Sequence, residues 1–334
     1  MSAKKEISVR FIAEQCGVST ATVSRVINND DSVTDATRRK VRQVLEQYRY
    51  EAPPPPVSKV SKIGVVIVSS QSDYYHAVLG NIGRWFRDRG ISTIAINTEG
   101  VPGYLATALS ALYDANAQGV ILVSCGYLSV RERLHGRIPH VWIDCNDPPE
   151  ETGNICQAQS DHYVSGRLAA KELLSRGAQK PILLTGAYAT RRSEDRRRGF
   201  VEECEEHGIA IQNERIVALP GIQSHITESQ EMIRYLVAKG FAFDGVFAMS
   251  DGRALGAYMG LVKMGLRIPD DVRLVGFDGV SEACTQVLNI TCVQQNVPLL
   301  ARRACETLMQ LMEREPIPEK RVIVPVNLLP GQTT

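Results

Sequence analysis

The chain has no apolar run approaching the ~18–20 residues of a membrane span. Its opening residues, Met1-Ser2-Ala3-Lys4-Lys5-Glu6, lead into no apolar stretch of the kind a secretory signal needs. The cysteines at 16, 125, 145, 156, 204, 284, 292 and 305 form no CxxC pair and no Cys/His cluster at zinc spacing. They read as small buried residues in a reducing cytosol, not as a disulfide framework or a metal site. An excess of one charge sign is also missing: 38 Lys+Arg against 37 Asp+Glu leave +1. With 44% hydrophobic and 22% charged residues over 334 positions, the chain is expected to be a soluble cytoplasmic protein of about two or three domains.

The small total conceals an asymmetry. Residues 1–62 carry 11 basic and 7 acidic side chains, and the remaining 272 residues carry 27 basic and 30 acidic ones. A head of net +4 is therefore cancelled by a body of net −3. Such a split suggests that only the head meets a polyanion. The segment Ala52-Pro53-Pro54-Pro55-Pro56-Val57-Ser58-Lys59-Val60-Ser61-Lys62 separates the two. Consecutive prolines cannot continue a helix and favour extended polyproline II, so residues 52–62 read as a linker between a domain at 1–51 and one at 63–334.

The head contains three short helical patterns. Val9, Ile12, Ala13 and Cys16 share one helical face, Gly17 stops that helix, and Ser19 is placed to cap the next, Thr20 to Asn28. Thr34 can cap a third helix bearing Val41, Val44, Leu45 and Tyr48. Helix, tight glycine turn, helix is the helix-turn-helix arrangement, in which the second helix enters the DNA major groove. Its polar face, Thr20, Ala21, Thr22, Ser24, Arg25 and Asn28, is mostly short, with one arginine able to bond guanine through two nitrogens. Periodicity alone leaves open a generic three-helix bundle whose short polar residues face water.

In the body, β-branched runs alternate with amphipathic helices. Strands are expected at Ile63–Val68, Ile91–Ile96, Val120–Val123, His140–Ile143, Pro181–Thr185, Val246–Met249 and Arg273–Phe277, with helices such as Tyr75–Arg89, Val164–Arg176 and Ala254–Met264 between them. The alternation implies an α/β fold of parallel sheets, and the length favours two lobes. No GxGxxG follows the first strand, and GxxxxGK[ST], GxSxG and HExxH are all missing. Each of the six histidines therefore reads as a surface or loop residue, and neither a catalytic residue, a metal nor a cofactor is expected. The strand ends carry Ser69/Ser70, Asp144, Ser250-Asp251 and Asp278, near Tyr74/Tyr75. Ligands of open α/β sheets bind at these ends, and hydroxyls, carboxylates and aromatic faces suit a hydroxyl-rich small molecule. Asp251 alone reads better as a helix cap.

The run Ile12-Ala13-Glu14-Gln15-Cys16-Gly17-Val18-Ser19-Thr20-Ala21-Thr22-Val23-Ser24-Arg25-Val26-Ile27-Asn28, followed by Val33-Thr34 and Thr37-Arg38-x-Lys40-Val41, resembles the N-terminal signature of the LacI/GalR family of transcription regulators. Ile63-Gly64-Val65-Val66, Asp161-x4-Gly166-Arg167-Leu168-Ala169, Arg196-x2-Gly199-Phe200, Val246-Phe247-x2-Ser250-Asp251 and Ile268-Pro269-x-Asp271-Val272 extend the resemblance across the body. It implies two periplasmic-binding-protein-like lobes joined by three crossovers. It also implies a homodimer or a tetramer, a near-palindromic DNA operator, and a sugar or sugar-phosphate effector controlling operator affinity, most often in a repressor. Thr20, Ala21 and Arg25 would read bases, while Ser19, Thr22, Ser24, Asn28, Thr34 and Thr37 would contact phosphates or the groove. Ser69, Ser72, Tyr74, Tyr75, Asp161, Arg196, Ser250, Asp278 and Gln295 would line the effector cleft. The basic stretch Arg191-Arg192-Ser193-Glu194-Asp195-Arg196 adds a further expectation: Arg191 or Arg192 joins Arg196 in holding an anionic effector.

The chain also departs from that pattern. Ser250 replaces the familiar asparagine, Gly177-Ala178 replaces Gly-His, and Leu329-Pro330-Gly331 lacks the usual arginine. No leucine occurs between Tyr50 and Ile63, where the family carries a minor-groove wedge on a short hinge helix, and four prolines oppose such a helix. The expectation is a less bent operator. Two other classes stay open on the sequence: a sugar-binding module without a DNA role, and an α/β sugar-processing enzyme.

Overall fold

A computed structural model describes residues 9–27, 33–48, 61–101, 103–128, 130, 138–147, 155–187, 190–221 and 224–334. The chain forms two compact units that divide between Val60 and Ser61.

In the first unit, helices α1 (Val9–Cys16), α2 (Thr20–Ile27) and α3 (Asp35–Gln47) enclose Ile12, Ala13, Cys16, Val23, Val26, Val33 and Val41. Gly17 takes a left-handed φ of 61°, the conformation glycine adopts without steric cost, and turns the chain from α1 towards α2. Ser19 Oγ accepts from Thr22 N–H at 3.1 Å, closing the start of α2 as its position suggested. Phe11 meets Tyr48 edge to face, centroids 5.1 Å apart, and so pins α1 to the end of α3.

The second unit holds two six-stranded sheets. Lobe 1 contains β1 (Lys62–Ile67), β2 (Ser92–Asn97), β3 (Gly119–Val123), β4 (His140–Ile143), β5 (Gln157–Ser160) and β11 (Arg321–Val324), in the order β11-β5-β4-β3-β1-β2. Lobe 2 contains β6 (Pro181–Gly186), β7 (Ile216–Leu219), β8 (Gly245–Ala248), β9 (Arg273–Asp278), β10 (Thr291–Gln295) and β12 (Val326–Leu329), in the order β12-β10-β9-β8-β6-β7. Pairing is parallel throughout except between β10 and β12. Helices α4 (Asp73–Arg87) and α5 (Tyr104–Asp114) serve lobe 1. Lobe 2 carries α6 (His162–Ser175), α7 (Arg191–Glu206), α8 (His225–Ala238) and α9 (Asp251–Lys263). Helix α10 (Val297–Glu313) follows β10 yet returns to lobe 1, where Leu300, Ala301, Ala304, Cys305 and Leu308 join its core. The chain thus passes between the lobes after β5, after β10 and after β11.

Several expectations need correction. The strands at β5, β7, β10, β11 and β12 are additional to those expected: all are only four or five residues long, and Gln157-Ala158-Gln159-Ser160 has no β-branched residue at all. Helices α4, α6 and α9 begin two or three residues before the expected starts. Their first turns are polar and lie outside the apolar periodicity. The body begins at Ser61 rather than residue 63, since the Ser61 and Lys62 carbonyls already accept from Ser92 and Gln118 N–H. The rest of the linker, residues 52–60, lies outside the described residues. All eight cysteines are free and buried, as expected.

Candidate functional site

The two lobes meet where the carboxyl ends of their strands face each other, and four residues there have left-handed backbones, Glu99 after β2 with φ 47° among them. Ser124 after β3 has φ 56°, Asp144 after β4 has φ 51°, and Asp278 at the end of β9 has φ 94°. Such conformations cost about 1–3 kcal/mol each in non-glycine residues and cluster at functional sites.

A cavity of about 660 Å³ opens beside them. Lobe 1 contributes Ser69, Ser72, Asp73, Tyr74 and Glu99, and lobe 2 contributes His225, Ser250, Asp251 and Asp278. The wall carries four carboxylates and, among the described residues, no lysine or arginine. His225 does not balance them, because burial, and then the neighbouring Arg253, push its pKa down to about 4.

Behind the cavity runs a buried polar network. Tyr74 donates to Asp144 Oδ2 at 2.7 Å, and Ser160 N–H donates to Asp144 Oδ1 at 3.1 Å. His162 Nε2 lies 2.9 Å from the same oxygen, and Arg196 Nη1 lies 3.0 Å from His162 Nδ1. Ser160 Oγ donates to Gln295 Oε1 at 2.5 Å, and Gln295 Nε2 donates to Asp278 Oδ1 at 2.8 Å. Burial alone would raise the Asp144 pKa, but His162, Arg192 and Tyr74 outweigh it and hold the carboxyl well below the usual range. Burial, then the Asp251 carboxylate, push Asp278 up to about 7 against the pull of Arg196 and Gln295.

Local packing explains why these groups converge. Helices α6 and α7 touch through backbone at Gly166 and Gly199. A Cβ on Gly166 would lie 2.0 Å from the Arg196 carbonyl oxygen, and one on Gly199 would lie 2.1 Å from that of Tyr163. That closeness brings His162, at the start of α6, beside Arg196, in the second turn of α7. Arg196 is 9% exposed, its guanidinium sits 4.3 Å from the Phe277 ring centroid, and its buried Nε has no partner among the described residues.

Five of the nine expected cleft residues line the cavity: Ser69, Ser72, Tyr74, Ser250 and Asp278. Arg196 and Gln295 stand behind it in the network, and Tyr75 lies within the electrostatic reach of Arg192. Asp161 instead caps α6, accepting from Val164 N–H at 3.0 Å, and does not line the cavity. Asp251 is not a helix cap; Ser250 is, and Asp251 accepts from the N–H groups of Gly279, Val280 and Ser281. It thereby fixes the loop that follows Asp278. His162 is not a surface residue but a buried one. Its position next to the predicted Asp161, ahead of a helix, was the available signal. Arg192 donates to Asn146 at 2.9 Å and Arg191 pairs with Asp195 at 3.3 Å, so both already have protein partners.

On the first unit, Thr20, Ala21 and Arg25 of α2 are exposed while Val23 and Val26 are buried, so one face of the helix is free. Thr34 Oγ1 accepts from Thr37 N–H at 3.5 Å at the start of α3. Asn28 lies outside the described residues, as does the side chain of Ser24.

Comparison with known proteins bears on both units. The model for bacterial regulatory proteins of the lacI family matches residues 9–52, and that for a periplasmic binding protein-like domain matches residues 170–334. A ribose operon repressor of Halalkalibacterium halodurans is 30% identical over 333 residues, spanning 98% of this chain and 97% of the relative. An HTH-type transcriptional repressor PurR of Vibrio vulnificus is 27% identical over 313 residues, 91% of each chain. The fold matches that of a lac repressor dimer bound to operator and an anti-inducer, with TM-score 0.78 at 22% identity over 99% of both chains. It also matches a CelR–cellobiose complex, with TM-score 0.72 at 22% identity over 98% of this chain and 99% of the other. These relatives are regulators rather than enzymes. The chain belongs to the LacI family of bacterial transcription regulators: a DNA-binding repressor under small-molecule control.

Proposed function

We propose that this repressor works in the cytoplasm as a homodimer and responds to an uncharged pentose or hexose. Two copies of α2 would read the half-sites of a near-palindromic operator. Thr20, Ala21 and Arg25 then meet base edges, and Ser19, Thr22, Ser24, Asn28, Thr34 and Thr37 meet the groove walls and phosphates. The exposed polar face of α2 over a buried Val23 and Val26 supports that assignment.

The observation that carries the effector reading is Asp278. A strained, cavity-lining carboxylate stands within the electrostatic reach of Arg196, whose buried Nε has no partner among the described residues. A sugar hydroxyl both donates and accepts, and an adjacent carboxylate and guanidinium offer the matching acceptor and donor. Ser69, Ser72, Tyr74 and Ser250 supply further hydroxyls around it.

The sign of the wall argues against a phosphorylated sugar, because Asp73, Glu99 and Asp251 would face the phosphate. The ribose repressor among the relatives supports a pentose. Calorimetry with a panel of neutral pentoses and hexoses, D-ribose first, and with D-ribose 5-phosphate tests this directly. The neutral sugar should bind and loosen the protein's grip on operator DNA in a mobility-shift assay. Tighter binding of the phosphate ester would refute the uncharged effector, and no binding across the panel would refute the sugar.

A further inference from the structure

The lobes are joined by the Ser160–Gln295, Asn146–Arg192 and Asp144–His162 hydrogen bonds, and the last of these continues, through the same imidazole, to Arg196. Asp144 belongs to lobe 1, where Tyr74 and Ser160 hold its carboxylate, so its position reports the position of that lobe. His162 is the first residue of α6 and Arg196 lies in the second turn of α7, both in lobe 2. His162 Nε2 approaches Asp144 and His162 Nδ1 approaches Arg196, at 2.9 and 3.0 Å. A guanidinium can only donate, so Nδ1 is the bare acceptor, and Nε2 carries the proton that is given to Asp144.

We propose that His162 is a positioning residue, a single-tautomer bridge that makes the placement of Arg196 in the effector cleft depend on closure of the two lobes. Phe277 supports the face of the Arg196 guanidinium but leaves its rotation in the plane unfixed, and Nε bonds nothing among the described residues. The His162 bond supplies the in-plane restraint. When the lobes part, Nε2–H loses its acceptor, the imidazole is released and Arg196 loses its orientation. Affinity for the effector and closure are then one equilibrium. The groups facing the imidazole are Asp144 from β4, Arg196 and Arg192 from α7, and the Phe277 ring from β9. Burial and the two arginines outweigh Asp144 and keep His162 neutral below its ordinary value. The assignment of Arg196 to the effector rests on the function proposed above; the bridge itself does not.

Long-range 1H–15N correlation on full-length, histidine-labelled protein tests the bridge without any effector, with the His162 signal assigned by His162→Gln. His162 should show the Nε2–H tautomer and titrate below the ordinary histidine value. An Nδ1–H tautomer, or titration at the ordinary histidine value, would overturn the proposal. Arginine-labelled protein tests the relay. Asp144→Asn should shift the Arg196 Nε–H signal, and most of that shift should vanish when His162→Phe is also present. His162→Gln, which keeps a donor and an acceptor, should restore part of it. An equal shift in both backgrounds would mean that residue 144 acts on Arg196 directly, and the relay would fall. Wild-type protein that binds no sugar but shows the expected tautomer rejects the effector reading and leaves the bridge standing.

Discussion

Gly166 and Gly199 face each other across α6 and α7 with no room for a methyl group on either. The family-like spacings Asp161-x4-Gly166 and Arg196-x2-Gly199 therefore have a mechanical reading. Gly166 lies one turn after His162 and Gly199 about one turn after Arg196, both members of the buried polar network, and backbone contact there sets the His162–Arg196 distance. Gly166→Ala should destabilise the body by at least ~2 kcal/mol, because the opposing atoms are rigid backbone. Thermal unfolding should register the loss, and effector binding should weaken in parallel. An unchanged midpoint would show that the helices can slide apart freely.

Arg25 lies on the exposed face of α2 and should discriminate between bases. Arg25→Ala is expected to cost roughly 1–3 kcal/mol and to relax preference at one base pair per half-site. Binding measured over a randomised operator library checks this. An equal loss on every sequence would make Arg25 a phosphate contact.

Operator bending should be smaller than the family norm. The segment between Tyr50 and Ile63 carries four prolines and no leucine, so the usual apolar wedge is missing. Phasing or circular-permutation electrophoresis of the protein–operator complex measures the bend directly. A strong kink would show that Val57, Val60 or another side chain replaces the wedge.

Asp278 makes the stability of the body pH-dependent. Its pKa in the fold, about 7, lies above the unfolded value, so the folded state favours the protonated acid. The contribution is fully present below the unfolded pKa and is lost as pH rises through about 7. Stability without effector should therefore decline between pH 5 and pH 8, and Asp278→Asn should flatten that slope. Asp144 acts in the opposite sense: its depressed pKa confers stability that is lost only as pH falls below the ordinary carboxylate range. Urea denaturation at several pH values separates the two. A slope unchanged by Asp278→Asn would place the titrating group elsewhere.

The head and the alternating body were legible because both rest on periodicity, caps and turns, which are local. Ser19 and Thr34 cap the helices that their positions suggested. Strand ends in an open parallel sheet are also local, so Ser69, Ser250 and Asp278 could be placed at the cleft. What escaped is what depends on two distant segments meeting. His162 looks like an ordinary polar residue until β4 brings Asp144 beside it and Gly199 brings Arg196 to its other side. Asp251 looked like a cap because a carboxylate after a strand usually is one. Its actual partners, the amides of residues 279–281, lie a whole βα unit away. The left-handed backbones of Asp144 and Asp278 have no signature in residue type.

The threefold passage between lobes also governs how the protein is made. Lobe 1 is incomplete without α10 in its core and β11 on its sheet, and lobe 2 is incomplete without β12, which ends at Leu329. Neither lobe can finish folding until residues 297–329 have left the ribosome, although most of each sheet has emerged before them. For a chain growing at about 5–20 residues per second, this leaves two unfinished α/β cores exposed together for seconds. Nascent chains stalled before residue 297 should consequently depend on chaperones in a way that the independent three-helix head does not.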